Sequence, residues 1–244
     1  MIEIIDLKKR LDGKEVLRGI NLKVAEGELM VIIGGSGVGK SVLLKHIIGF
    51  LKPDSGDVIV NGFSIPAADQ KELYRIRKDY GILFQTAALL QSLTVRENMA
   101  LPLKEHTDLN PEEIDRIVTE RLGWVELHGV EDKLPSDLSV GMMKRVGLAR
   151  AIVRDPQIVL FDEPTTGLDP VLSSTIGQLI VDLHRKLRFT SIAVTHDMNL
   201  AYMIGDRIGM LYNGVIIEVG TVEEIKRSSN PTVQEFIHGL PEPE

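Results

Sequence analysis

The sequence predicts an α/β fold, a parallel sheet wrapped by helices, and three observations carry that prediction. Leu29 to Ile33, Ile158 to Phe161 and Thr190 to Thr195 are short runs without polar alternation, the pattern of strands buried on both faces. Aliphatic residues are plentiful while aromatics make up only 5% of the chain, which suits helices packed on such a sheet. The first run opens into Gly34-Gly35-Ser36-Gly37-Val38-Gly39-Lys40-Ser41 and then into the amphipathic stretch that starts at Val42, a strand, a glycine-rich loop and a helix in succession.

That loop follows the spacing G-x-x-x-x-G-K-[ST], and each fixed position has a physical reason. Glycines let backbone N–H groups wrap phosphate oxygens without Cβ interference. A helix that opens at Lys40-Ser41 turns its positive dipole end toward the same anion. Lys40 would reach the terminal phosphates, the Ser41 hydroxyl would hold Mg²⁺, and Val42 follows on the same turn. A glycine loop with a chance lysine would match this spacing in on the order of one chain in a hundred.

Taken in order, residues 1–85 read as one block rich in strands. Ile2 to Val24 is a hairpin around Asp12-Gly13, the helix after the loop stops at Gly49, and Val58 to Val60 is a strand closed by Asn61-Gly62. Residues 86–155 change to helical texture and read as an inserted helical subdomain. Asn110, Pro111 and Glu113 signal a helix start with a capping box, followed by Ile114, Ile117, Val118, Leu122 and Val125 on one face. A second helix starts at Ser139 and ends before Asp155-Pro156. Residues 156–222 return to sheet texture, with a helix capped by Asp169 and a hairpin around Asn213-Gly214. Residues 223–244 read as a short helix and a polar tail that ends Pro241-Glu242-Pro243-Glu244.

Composition narrows the function. At 244 residues and a formal charge of −7, with no basic block, nucleic acid is not an expected principal partner. The absence of cysteine excludes disulfides and thiolate metal sites and fits a reducing compartment. The six histidines show no metal-ligand spacing. The opening Met1-Ile2-Glu3-Ile4-Ile5-Asp6 has acids where a basic leader would sit, and no apolar run approaches the roughly 20 residues of a membrane span, so any membrane role is expected through a partner.

The strand from Ile158 ends in Asp162-Glu163, carboxylates at the C-terminal edge where an α/β sheet presents ligands. Asp162 would complete the Mg²⁺ shell, and Glu163 would orient or deprotonate a water for in-line attack on a γ-phosphate.

Between the loop and these acids stands Leu138-Ser139-Val140-Gly141-Met142, which resembles the LSGGQ signature of ATP-binding-cassette (ABC) transporter ATPases. Gln85 is similar to that family's Q-loop glutamine, Gly167-Leu168-Asp169 to its D-loop, and His196 to its switch histidine. The resemblance covers almost the whole chain. It implies a P-loop NTPase with a RecA-like core, an antiparallel β subdomain and an inserted helical subdomain. ATP hydrolysis with Mg²⁺ is implied too, Gln85 joining Ser41 and Asp162 at the metal. Two copies would clamp two ATP molecules, Ser139 and Gly141 of one completing the other's site. The position where the family places an aromatic on adenine falls near Arg10-Leu11, and Arg10 offers a guanidinium plane instead. Val140 stands where the family has glycine.

Leu73-Tyr74, Arg77-Lys78, Leu83-Phe84-Gln85, Ala88-Leu89, Met142 and the run Pro102 to Thr107 resemble the MlaF-type ATPases of this family. Read alone, Glu105-His106-Thr107 is an ordinary solvated loop. The narrower resemblance implies the Mla phospholipid transport system of Gram-negative bacteria, with an MlaE-like permease, an MCE-domain lipid-binding protein and a small regulatory subunit. The chain would then be cytoplasmic, held on the inner membrane through its permease. The alternatives are the same engine on another importer or exporter, and a slow nucleotide-dependent switch.

Overall fold

The structure is a computed structural model that describes residues 1–239; the expected Pro241 to Glu244 tail lies outside the described residues. β1 (Ile2–Leu11) and β2 (Lys14–Val24) pair antiparallel, joined by Asp12 and Gly13 at φ 49° and 79°. Positive φ at both central residues is what a two-residue hairpin turn with the twist of its strands demands. β3 (Leu29–Ile33) is buried at every residue. α1 (Lys40–Ile47) follows the glycine loop and is terminated by Gly49 at φ 77°. β4 (Ser55–Val60) turns through Asn61-Gly62 into the two-residue β5 (Phe63–Ser64).

The strand-rich reading of residues 1–85 is corrected next, because α2 (Gln70–Arg77) is a helix. None of its residues is fully buried, and Leu73 and Ile76 mark a half-buried apolar face. Its start is closed by Asp69 and Glu72, Glu72 N donating to Asp69 Oδ1 (2.8 Å) and Asp69 N to Glu72 Oε2 (2.9 Å), and its end is anchored by Arg77. Arg77 donates from Nε to Ile48 O (2.8 Å) and from Nη2 to Gly49 O (2.9 Å), with its guanidinium over the Phe50 ring.

β6 (Tyr80–Leu83) precedes the helical block. α3 (Val95–His106) is closed at its start by a Thr94/Glu97 capping box and contains Pro102. The solvated-loop reading of Glu105 and His106 is thereby corrected: they form the last turn of α3, with Thr107 as its C-cap. α4 (Pro111–Trp124) carries the expected Asn110/Glu113 box, with Ile114, Val118 and Leu122 buried. α5 (Val140–Ala151) leads to β7 (Ile158–Asp162), and α6 (Pro170–Leu187) buries Ile176, Leu179, Ile180 and Leu183. β8 (Thr190–Thr195), α7 (Met198–Ile204), β9 (Arg207–Tyr212) and β10 (Val215–Thr221) follow. The single C-terminal helix expected is two, α8 (Val222–Lys226) and α9 (Pro231–Ile237), each with its own cap at Thr221 and Asn230.

The chain forms two compact units, one of residues Met1–Arg77 with the segment from Thr190 onward, the other Lys78–Phe189. In the first, β2-β1-β4-β5 make an antiparallel sheet. Beside it in the same unit β3 is parallel to both β8 and β9, and β10 is antiparallel to β9. In the second unit β6 and β7 are parallel, with Leu83 opposite Phe161. Helices α3 to α6 belong to this unit, and the Trp124 ring on α4 lies against Lys186 Nζ of α6 (3.4 Å). This is the α/β fold with parallel and antiparallel strands and inserted helices that the sequence predicts.

Candidate functional site

In the first unit the glycine loop leaves β3 at Gly34. A Cβ there would stand 2.4 Å from Leu211 O, so only glycine fits. Gly37 and Gly39 take φ 80° and 110°, left-handed backbone that glycine adopts without strain and that a tight phosphate-binding turn uses. Gly39 is also the N-cap of α1, and having no side chain it does not compete for the first-turn N–H groups. Lys40 Nζ donates to Gly34 O (2.7 Å) and Gly35 O (2.9 Å), which holds its buried ammonium across the loop. Ser36 and Gly37 are exposed at the tip, with Gly35, Val38, Ser41 and Val42 half-buried around it. This cradle of amides plus one cation fits a polyphosphate, the chemistry the loop's spacing predicts.

Strand register brings His196 to the same edge. β3 and β8 are parallel with Ile33 opposite Thr195, so Gly34 and His196 leave the sheet side by side. Thr195 and Asp197 fix the turn around His196. Asp197 N donates to Thr195 Oγ1 (3.0 Å), and Asp197 Oδ1 caps α7 by accepting from Asn199 N and Leu200 N.

The second unit does the same for the acids. Leu83 opposite Phe161 places Gln85 and Glu163 each two residues beyond paired strand ends. Asp162 is half-buried at the end of β7, Glu163 is buried beyond it, and Gln85 is exposed. Glu163 sits at φ 48°, a left-handed conformation costly for a side chain with a Cβ and concentrated at functional sites. Thr166 holds it on two sides, N to Glu163 O (3.3 Å) and Oγ1 to Glu163 Oε2 (3.3 Å).

A residue that sequence reasoning missed sits between them. Lys144 on α5 is 3% exposed, and its Nζ donates to Gln85 O (2.5 Å) and Glu163 O (3.3 Å). Burial holds its ammonium below the ordinary lysine range, against the upward pull of Glu163 and Asp162. The available signal was position: Lys144 lies three residues after Gly141 and four before Leu148, on the inward side of a helix, where a lysine needs partners.

At the start of α5, Ser139 is the N-cap, its Oγ accepting from Met142 N (3.3 Å). Val140 is 50% exposed, so its side chain is not taken into this chain's own core. A Cβ on Gly141 would meet Leu172 at 3.4 Å, an ordinary contact, so packing within the chain does not require glycine there. Asp169 caps α6, accepting from Val171 N (2.9 Å) and Leu172 N (3.0 Å). Arg10 is exposed near the end of β1, with its Nη2 on Gly13 O (3.3 Å). Among the described residues no group of three or more histidines and acids is placed to hold a metal unaided.

Residues 17–166 match the family described as ABC transporter. The probable ribonucleotide transport ATP-binding protein mkl of Mycobacterium tuberculosis is 43% identical over 98% of this chain, which spans only 66% of that relative's length. The intermembrane phospholipid transport system ATP-binding protein MlaF of Haemophilus influenzae is 38% identical over 98% of this chain and 90% of its own. Among solved structures, an ATP-binding cassette in a dimeric post-hydrolysis state bound to ADP and Pi superposes with TM-score 0.84 at 33% identity, covering 91% of this chain and 99% of that one.

Proposed function

We propose that two copies of this chain, which belongs to the ABC transporter family and hydrolyses ATP, clamp two nucleotides between them and drive a membrane permease. The observation that carries this is the parallel register within each unit. It sets the glycine loop beside His196 in one, and Gln85 beside Asp162-Glu163 in the other, all at C-terminal strand ends. In this reading the amides from Gly34 to Ser41 cradle the phosphates and Lys40 neutralises charge on them. Ser41, Gln85 and Asp162 hold Mg²⁺, which would stabilise the charge on the transferring phosphoryl group. Glu163 takes the proton of the attacking water, and His196 binds the γ-phosphate side. Ser139 and Gly141 of the second copy close the site, with Asp169 on the loop that faces its partner. A glycine at 141 that internal packing does not require supports a close approach from outside the chain.

Val140 tests this closure. A β-branched side chain at the first turn of α5 would crowd a phosphate clamped against it. Val140→Gly is expected to raise turnover at saturating Mg-ATP in the assembled complex, because hydrolysis is sensitive to ångström-scale placement. A rate unchanged or lower in the folded variant would mean that valine points away from the phosphate.

Among the described residues no helix is long and apolar enough to cross a membrane. In the reading proposed here a permease holds the chain on the cytoplasmic face. The loop after Gln85 is the proposed contact. Buried Asn98 braces it, its Oδ1 accepting from Leu90 N (2.8 Å) and the two N–H groups of its Nδ2 shared among Leu90 O, Leu93 O and Thr94 O (3.0 Å each), while Leu90 itself stays 48% exposed. An exposed leucine on a braced loop suits an apolar socket. Leu90→Asp is expected to abolish transport and permease-stimulated hydrolysis while leaving nucleotide affinity within about twofold. Loss of nucleotide binding in parallel would mean that the loop is only structural.

For the cargo, phospholipid is supported by the likeness to an MlaF protein over 90% of that protein's length, so little of that relative lies outside the match. An MlaE-like permease, an MCE-domain lipid-binding protein and a small regulatory subunit would complete that machine. The higher identity to a relative named for ribonucleotide transport favours a second reading, the same engine on another permease. Purifying the chain with its membrane subunits and identifying what they hold by mass spectrometry separates the two. Phospholipid with an MCE-domain partner supports the first, and a polar solute without one supports the second.

A further inference from the structure

Helix α5 grips the loop after β6 at successive turns of one face. Lys144 reaches Gln85 O and Glu163 O. One turn on, Gly147 gives room to Ala87, whose Cβ would stand 2.9 Å from a Cβ at 147. A further turn on, Arg150 donates to Ala87 O (2.7 Å) and Ala88 O (2.9 Å). The gripped segment needs holding. Ala87 and Ala88 both take left-handed backbone, at φ 60° and 48°, and Glu163 takes φ 48°. Non-glycine residues stay in that region only where their surroundings over-determine it. Among these grips only Lys144 touches both the glutamine and the glutamate segments.

We propose that Lys144 is a positioning residue for ATP hydrolysis, its buried ammonium tying the main chain at Gln85 to that at Glu163 so that both stand in one register. The proposal rests on the reading of Glu163 as the group that takes the proton of water. A lysine suits the task because one tetrahedral head offers three N–H donors that can serve two carbonyls in the segments that follow two different strands. Its charge also lies close enough to Asp162 and Glu163 to offset theirs. The amide of Gln85 and the carboxylate of Glu163 each hang from a peptide that Lys144 fixes. Loss of the tie would let both drift, and a drift on the ångström scale is costly to chemistry but not to binding of the phosphates.

The test uses the full-length chain. Lys144→Met keeps a long unbranched stem and removes the donors and the charge. Phosphate release at saturating Mg-ATP is expected to fall at least about tenfold, with KM for ATP and affinity for a fluorescent ATP analogue moving less than about threefold. Thermal unfolding of the nucleotide-free chain should not fall in proportion. Adding Lys144→Met to Glu163→Gln should cost less than about twofold more, because the two act through one group. If Lys144→Met fails to fold, Lys144→Gln, which keeps an N–H₂ donor without the charge, is expected to lower kcat clearly below the wild type while KM for ATP moves less than about threefold. Wild-type kcat in either folded variant overturns the proposal. So does a loss of kcat matched by equal losses of nucleotide affinity and thermal stability, which marks mere packing. Glu163→Gln read alone separates the two levels of inference. If it is inactive while Lys144→Met is normal, positioning fails and the base survives; if it turns over normally, the base itself is wrong.

Discussion

Lys40→Ala removes ATP hydrolysis, with turnover expected to fall on the order of a thousandfold or more. The ammonium is buried and held to Gly34 O and Gly35 O, so the loop itself fixes its position. A fixed positive charge in a water-poor cradle stabilises negative charge that redistributes over phosphate oxygens in the transition state, at little reorganisation cost. An alanine methyl supplies neither the charge nor the link across the loop. ATP affinity should weaken too, because the same charge meets the ground-state phosphates. Phosphate release by the purified variant, with folding verified by circular dichroism, checks this. Near-normal turnover would end the phosphate-loop reading.

Glu163→Gln separates binding from chemistry. The amide keeps the size of the carboxylate and an oxygen for the Thr166 hydroxyl, so the left-handed turn at 163 should persist. It cannot accept the proton of water, and loss of a positioned base costs about 10² to 10⁴ in rate. Nucleotide affinity should hold or rise, since a negative charge near the phosphates is removed. A chain that binds Mg-ATP without consuming it should accumulate as a dimer, visible as an earlier gel-filtration peak only when Mg-ATP is present. A peak indifferent to Mg-ATP, for the chain alone and with its permease, would count against the clamp.

What the sequence revealed, and what it hid, follows from the range of the forces involved. The glycine loop, the Asp12-Gly13 and Asn213-Gly214 hairpins and the Asn110/Glu113 box are local devices, in which a few adjacent residues dictate backbone or capping. The buried strands were legible because both their faces are covered, which leaves unbroken apolar runs. α2 was not, since it is short and none of its residues is fully buried, although Asp69 and Glu72 carried a capping box at its start. α3 hid behind Pro102, although Thr94 and Glu97 carried the same kind of box that revealed α4. In the candidate site, Lys40, Asp162 and Glu163 could be named from spacing alone. Lys144 could not, because its partners are main-chain oxygens at 85 and 163, and a carbonyl has no letter in the sequence.

The central claim is that one nucleotide is held between the glycine loop of one copy and the α5 start of another, and the cysteine-free chain makes this directly measurable. Ser36 lies exposed on the loop and Ser139 exposed at the head of α5. Two single variants, Ser36→Cys and Ser139→Cys, each in the Glu163→Gln background, are mixed and treated with a short bis-maleimide cross-linker. The account predicts a covalent dimer joining the two variants that forms with Mg-ATP and not with Mg²⁺ alone. No cross-link with Mg-ATP, or the same yield without it, would contradict it.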